Sequence, residues 1–571
     1  MHVVTTRRHY KDKVYETHLL RRSYREGGKV RNETLANLSH LPADVIELIR
    51  RSLRGEAFVG AGEGFEIARS LPHGHVAAVV AQAHKLGFPD LLGPAGAERD
   101  LAFALVVARV CRPGSKLASA RWWADTTLAA DLRVADASID DVYGAMDWLF
   151  ARQGEIEAAL AKRHLAPGGL VLYDLSSSWV EGSHCPLAAR GFSRDRKSGR
   201  AQIEYGLVTD PEGRPVAVEV FAGNTADPTA FISAAGTVRE RFGLTDVVMV
   251  GDRGMITSAR IRALAEVGGL GWVTSLRAPS VAALAAEGGP LQLSLFDESN
   301  LAEINHPDYP GERLVACRNP ALATERARKR DELLGATEAL LAKVAASVDA
   351  GRLTDAAKIA LRVGRDINRY KMAKHFDIDI AAGRFAYSRK ASAIAAEAAL
   401  DGIYVIRTSV GAATLSAPEV VEAYKRLTLV EADFRSLKAI DLDLRPIYHH
   451  LAERVRAHVL ICMLGAYLVW HLRRAWAPLT FTDDERPARS DPVAPARRSA
   501  AAQAKASRRR TADDQAVHSF ASLLDHLATL TRDEIVFTGS SGARVHKLAN
   551  ATAAQRKAFE LIGSTVPMTL A

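Results

Sequence analysis

The feature that most constrains this chain is a succession of short apolar runs, two of which stop at an aspartate. Leu170-Val-Leu-Tyr173 runs into Asp174, and Val247-Val-Met-Val250 runs into Gly251-Asp252. Between them, Ile203 to Val208 and Val216 to Phe221 flank Pro211-Glu-Gly-Arg214, a hairpin turn signal. Thr229 to Arg241 and Ser258 to Val267 have helical periodicity, and Trp272-Val-Thr-Ser275 reads as another strand. The order β, ββ, α, β, α, β describes a meander followed by βα units. It predicts an α/β fold, a mixed sheet flanked by helices.

The flanking regions differ in character. Residues 1–41 read as a basic, strand-rich arm, with nine Lys/Arg against three Asp/Glu up to Arg31 and a turn at Glu26-Gly27-Gly28-Lys29. This arm is either a solvated hairpin or an arm on a DNA backbone. Residues 42–165 read as helical, a compact region that either binds DNA ends or serves only helix packing: Leu101, Leu105, Val106 and Ala108 repeat at helical spacing, and Ser138-Ile-Asp-Asp141 is an N-cap signal. The sheet domain is expected over 166–477. An insertion at about 278–400 holds charged helices from Ala321 to Ala346 and Asp355 to Tyr370, with extended runs at Phe376 to Ile380 and Arg384 to Arg389. Gly402 to Arg407 then returns as a strand, and helices are expected over Pro418 to Leu437 and Ile447 to Trp476. Residues 478–511 read as a basic flexible linker, with eight Lys/Arg and one Asp between Arg486 and Arg510. Residues 512–571 form a small C-terminal segment, with a helix over Ala516 to Leu530 and a hairpin around Gly539-Ser-Ser-Gly542.

Composition narrows the class. With 571 residues, 48% apolar and 25% charged, the chain reads as a soluble globular protein of several domains. Its net charge of +9 permits a nucleic-acid partner, but only clustered charge makes a binding footprint. Cys111, Cys185, Cys317 and Cys462 are far apart, which supports neither a zinc ribbon nor a disulfide framework and fits a reducing cytoplasm. The apolar run Val459 to Trp470 is twelve residues, short of the roughly 20 a membrane span needs, and reads as a buried helix.

Asp174 and Asp252 are expected at the carboxyl edges of their strands, where open sheets hold their sites. On neighbouring strands two carboxylates repel each other, and a divalent cation with oxygen ligands removes that repulsion. A third acid, Glu431, lies between Tyr424 and Lys438, each seven residues away. Seven residues return within about 20° on an α-helix, so one continuous helix would place all three on one face. Leu427, Val430, Phe434 and Leu437 would supply the apolar stripe beneath.

These segments resemble the DDE transposases of bacterial insertion sequences, in the group marked by a Tyr–Arg–Glu–Lys signature. The resemblance rests on Tyr173-Asp174, Gly223-Asn224-Thr225-Ala-Asp227, Gly251-Asp252-Arg253-Gly254-Met255 and Tyr424 through Lys438. It covers about residues 165–475. Leu427 stands where the group has its Arg, with Arg426 and Arg435 as the nearby substitutes. The resemblance implies an RNase H-like core with an insertion before the last catalytic helix. It implies Asp174, Asp252 and Glu431 as the catalytic, metal-binding triad for Mg²⁺ or Mn²⁺, and Tyr424, Lys438, Arg253 and Arg435 as DNA-binding residues. The implied partners are double-stranded DNA, as inverted-repeat ends and target, and further copies of the chain assembled on DNA, with no membrane. The implied setting is the bacterial cytoplasm at the nucleoid.

Other motifs carry less. Gly60-Ala-Gly-Glu-Gly64 is not a dinucleotide loop, Ser176-Ser-Ser178 lacks a nucleophile elbow, and His184-Cys185 and His449-His450 lack ligand geometry. The function expected is Mg²⁺-dependent DNA cleavage and strand transfer. The alternatives are an RNase H-fold nuclease without strand transfer, and a non-catalytic DNA-binding remnant.

Overall fold

The computed structural model describes the chain except residues 12, 57, 59–63, 196, 198, 257–260, 262–269, 287, 539–541 and 571. The chain divides into two compact units, one of residues 1–71 with 532–549 and one of 72–531 with 550–571.

The first unit begins with an antiparallel sheet of β1 (His2–Tyr10), β2 (Lys13–Glu26) and β3 (Lys29–Asn37). Gly27 and Gly28 both take positive φ, which lets the β2–β3 turn close in two residues. Helix α1 (Ala43–Leu53) follows, with Ile46 buried, and then β4 (Phe65–Pro72), a strand the sequence pattern had not marked.

The second unit is built on an eight-stranded sheet. Strands β5 (Leu170–Trp179), β6 (Gln202–Thr209) and β7 (Pro215–Ala222) form the expected meander. Helix α2 (Asp227–Gly236) leads through a π-helical turn, Thr237–Arg241, towards β8 (Val248–Val250). β8 pairs parallel with β5 and with β9 (Gly271–Ser275). The helix expected over Ser258 to Val267 lies outside the described residues, as do most of Gly60–Gly64 and three of the four turn residues at Gly539–Gly542.

The insertion is only partly separate from this sheet. Its strands β10 (Leu301–Ile304) and β11 (Arg313–Arg318) join through β14 (Ile403–Thr408), giving the order β10-β11-β14-β9-β8-β5-β6-β7. The physical reason is edge coverage: β9 would otherwise expose its outer hydrogen-bonding groups. The rest of the insertion has its own core. The helices α3 (Pro320–Asp349) and α4 (Ala356–Ile367) and the hairpin β12 (Phe376–Ala381) and β13 (Arg384–Arg389) bury Leu334, Leu341, Ile359, Val363, Phe376 and Phe385 together.

The strands β7-β6-β5-β8-β9 have the 3-2-1-4-5 order of an RNase H-like sheet, with only the meander antiparallel. Tyr173 is buried on one face, donating to the carbonyl of Ala230 on α2 at 3.1 Å and lying against Gly206 of β6. A Cβ at Gly206 would overlap the Tyr173 ring. Gly206→Ala is therefore expected to cost about 1–3 kcal/mol of stability, the range for overpacking, as read by urea denaturation.

The segment expected as one helix over Pro418 to Leu437 is instead two. α5 (Ala417–Lys425) and α6 (Leu427–Arg435) meet at Arg426, and α6 passes into a π-helical turn, Ser436–Ile440. α7 (Ala452–Ala475) is longer than the apolar run marked in the sequence. It is long and apolar enough to cross a membrane, but 83% of its apolar window is buried inside the protein. It packs on the N-terminal helices between Gly74 and His164 and on β7.

Residues 478–511 are not a free linker. Val493 is fully buried, and Lys425 donates to the carbonyls of Pro492, Val493 and Ala494 at 2.5, 2.8 and 3.2 Å. Asn319 also donates to Val493, at 3.1 Å, and Ala500–Arg508 is helical. The backbone carbonyls of this Pro-rich stretch have no sheet partner, so side-chain amines satisfy them instead. The chain then returns to the first unit, where β15 (Thr531–Phe537) and β16 (Arg544–Leu548) complete a sheet in the order β16-β15-β4.

Candidate active site

Register places the first two acids side by side. Leu172 pairs with Val250 across the parallel β5–β8 ladder, and Asp174 and Asp252 each stand two residues further on. Side chains repeat every two residues on a strand, so Asp174 shares the face of Leu172, opposite Tyr173, while Asp252 follows just beyond the end of β8. Asp174 does not end its strand, as the sequence reading expected. β5 continues to Trp179 because β6 still pairs with it on the other side. It is β8 that stops, and its end opens the space beside Asp174.

Helix α6 brings the third acid. Phe434 packs its ring on Tyr205 at 5.7 Å, edge to face, and Tyr205 pairs with Ser176 on the same face as Asp174. Glu431 stands almost one turn before Phe434, exposed above the sheet. Its charge reaches Asp174. The Asp174 carboxyl is pushed up to about 7, first by burial and then by the charges of Asp252 and Glu431. The Leu175 N–H, donating to Asp174 Oδ1 at 2.8 Å, and the Arg194 guanidinium oppose that rise. The three acids thus share one electrostatic site. Among the described residues, no three His, Cys, Asp or Glu side chains are drawn to the spacing of a preformed metal centre. The donor set nonetheless fits a hard divalent cation: three carboxylates, no thiol or imidazole, and a repulsion that a cation would relieve.

Tyr424, at the end of α5, donates its hydroxyl to Asp252 Oδ1 at 3.3 Å. Burial and the Asp252 charge push its phenol up, so it remains a hydrogen-bond donor. Arg253 is exposed beside this pair, near enough to act on the Tyr424 hydroxyl. Tyr424→Phe is expected to slow whatever reaction these carboxylates support about three- to tenfold, the worth of one hydrogen bond. An unchanged rate would remove Tyr424 from the site.

Lys438 is held by a buried acid. It lies in the π-helical turn Ser436–Ile440 and is only 9% exposed. Its ammonium pairs with the buried Asp195 at 2.9 Å, and Arg445 pairs with the same carboxylate. Arg435 is exposed on the last turn of α6. Leu427 is 8% exposed and packs in the core, while Arg426 donates to the carbonyl of Pro211 at 3.1 Å. Arg426 is thus committed to the β6–β7 turn.

Three charged residues near the triad escaped the sequence reading of the site. Arg194 pairs with Asp227 at 2.5 Å and with Glu204 at 3.3 Å. Glu204, buried on β6, is pushed up to about 7, chiefly by burial and against the pull of Arg194. A glutamate inside the apolar run Ile203 to Val208 was its one visible signal. Asp227 lay in a quoted segment but had no role attached, and Arg194 has no sequence signal. Ser177 and Ser178 are interior strand residues, accepting from the Arg194 N–H and meeting the Tyr205 hydroxyl at 3.0 Å, respectively.

The sheet is RNase H-like, with Asp174 on a central strand and Asp252 just beyond the end of its parallel neighbour. A model of the transposase DDE domain matches residues 179–469, just over half of the chain, and one of the IS1634 family transposase N-terminal domain matches residues 3–63. The chain belongs to the DDE transposases of insertion sequences. Asp174 lies five residues before the matched DDE segment. A cryo-EM structure of a piggyBac transposase synaptic complex with hairpin DNA is similar over 81% of each chain, at 9% identity and a TM-score of 0.34. No curated protein matches the chain.

Proposed function

We propose that this transposase binds the terminal inverted repeats of its own element and carries out metal-dependent cleavage and strand transfer at Asp174, Asp252 and Glu431. The observation that carries this reading is the action of the Asp252 and Glu431 charges on Asp174, with one acid on a central strand, one after its parallel neighbour and one on the helix above. Asp174, Asp252 and Glu431 would hold Mg²⁺ or Mn²⁺. When bound, the cation supplies Lewis-acid activation of an attacking water or 3′-hydroxyl and stabilises the departing oxygen.

The chain's own residues do the rest. Tyr424 orients the Asp252 carboxylate through its hydroxyl. Arg253 and Arg435, both exposed, offer cations to DNA phosphates. Arg194 moderates the negative charge behind the site through Asp227, Glu204 and Asp174. Lys438 acts as a positioning residue here, holding the α6 end to Asp195. Two element ends must be joined, so assembly of more than one copy on DNA belongs to this reading.

The test is cleavage of labelled duplex carrying the gene's own flanking ends, with Mg²⁺ and with EDTA. Metal-dependent nicking at the end boundary, followed by joining to a target duplex, is the expected result. Nicking without joining would favour a nuclease. Binding without either product would favour a non-catalytic remnant.

A further inference from the structure

The β1–β3 sheet of the first unit sorts its charges by face. Paired residues on neighbouring strands share a face, so the register assigns each side chain. One face holds Arg7, Glu16, His18, Arg22, Glu26, Lys29, Arg31 and Glu33, three acids among four Lys/Arg. Every acid there is paired: Glu16 with Arg7 at 2.6 Å, Glu33 with Arg22 at 2.7 Å and Glu26 with Arg31 at 3.0 Å. α1 lies on this face, its Arg50 donating to Thr5 and meeting His18 at 3.4 Å.

The opposite face holds Arg8, Lys13, Arg21 and Arg25 and, among the described residues, no Asp or Glu. None of these four cations is in an ion pair among the described residues. Arg21 is half-buried, whereas Arg8, Lys13 and Arg25 are exposed. Between them stand Tyr10 and Tyr15, 61% and 53% exposed, and the short polar side chains Thr6, Ser23, Asn32 and Thr34. Lys, Arg, Tyr, Ser, Thr and Asn are the side chains that contact phosphates. β2 has 14 residues, about 45 Å at roughly 3.3 Å each, longer than the roughly 34 Å of one B-DNA turn.

We propose that this face is a seat for the sugar–phosphate backbone of duplex DNA, with Arg8, Lys13 and Arg25 as its phosphate-binding cations. It rests on the reading of the chain as a transposase that acts on DNA. The paired face keeps the sheet folded against α1, and the unpaired face is left to the ligand.

The experiment uses the full chain carrying Asp252→Asn, in EDTA, with a labelled duplex of random sequence titrated across a NaCl series. Arg8→Gln/Lys13→Gln/Arg25→Gln should shrink the slope of log K against log salt by about 2–3, near 0.9 for each phosphate no longer neutralised. Arg7→Gln/Arg22→Gln/Arg31→Gln removes the same charge from the other face and should change the slope by less than about 1. Arg8→Lys/Arg25→Lys should keep the wild-type slope. Should a triple variant misfold by circular dichroism, Lys13→Gln alone should lower the slope by about 1. An unchanged slope in the first triple, or equal losses in both triples, overturns the seat. Binding is read without cleavage, so failure of the catalytic reading leaves this result standing.

Discussion

Asp252→Asn and Glu431→Gln are each expected to lower metal-dependent cleavage at the element's ends by at least about a thousandfold, or about 4 kcal/mol on the barrier. Both side chains are exposed and neither anchors the core, so the fold and DNA binding should persist. The loss follows from charge and ligand count. Each substitution keeps the shape but removes a carboxylate from a site whose chemistry depends on oxygen donors around a cation. The two losses should also not add, since residues that act as a unit fail together. Quantified cleavage of labelled ends, beside anisotropy for binding, checks both points. Either variant keeping wild-type cleavage would remove that acid from the triad.

Asp174→Asn separates function from stability in opposite directions. The Asp174 carboxyl is pushed from 3.8 up to about 7, first by burial and then by Asp252 and Glu431. Below pH 3.8 the folded and unfolded chains both hold the proton. Between 3.8 and about 7 the unfolded chain releases it while the folded chain keeps it, so stability falls as pH rises. Above about 7 the cost is fully present in the metal-free protein. The asparagine carries no such cost and can still accept the Leu175 N–H. In EDTA at pH 8, Asp174→Asn should be more stable than wild type by about 2 kcal/mol, a few degrees in Tm, with the gain fading towards pH 4. Glu204, also pushed up to about 7, gives a residual pH dependence of the same sign. Mg²⁺ or Mn²⁺ should then raise the Tm of wild type and leave the variant unmoved. A variant less stable than wild type in EDTA, or one equally stabilised by the cation, would falsify the shared-field account of the site.

How much was legible in the sequence can be judged from single elements. The meander and the strands after it were visible because buried strands are short apolar runs between turn residues. Asp174 and Asp252 were visible for the same reason, since a charge that interrupts a buried run stands out. The length of β5 was not visible. Its second half, Leu175 to Trp179, contains three serines, and polar residues do not read as a buried strand until β6 is seen to pair with them. The break at Arg426 was also hidden, because helix formers continue across it. Arg426 reaches instead for the carbonyl of Pro211, a partner 215 residues away in sequence.

The sequence by itself determined which chemistry was available: three carboxylates in the order of a DDE site, and a core of alternating strands and helices. Those properties are local, carried by the periodicity of burial and by residue type at a strand or helix position. Only the tertiary structure decided what each charged group does. Lys438 has the right spacing from Glu431 for a helix face, but it sits in a π-helical turn and its ammonium is taken up by a buried aspartate. Arg194 has no pattern around it, yet pairs with two acids close to the site. The arm reads only as basic along the chain, and strand register alone gathers its described acids on one face and leaves the other with cations and no acid. Electrostatic partners are set by distance through space and by exclusion of water, and neither quantity is written in the spacing of residues along a chain.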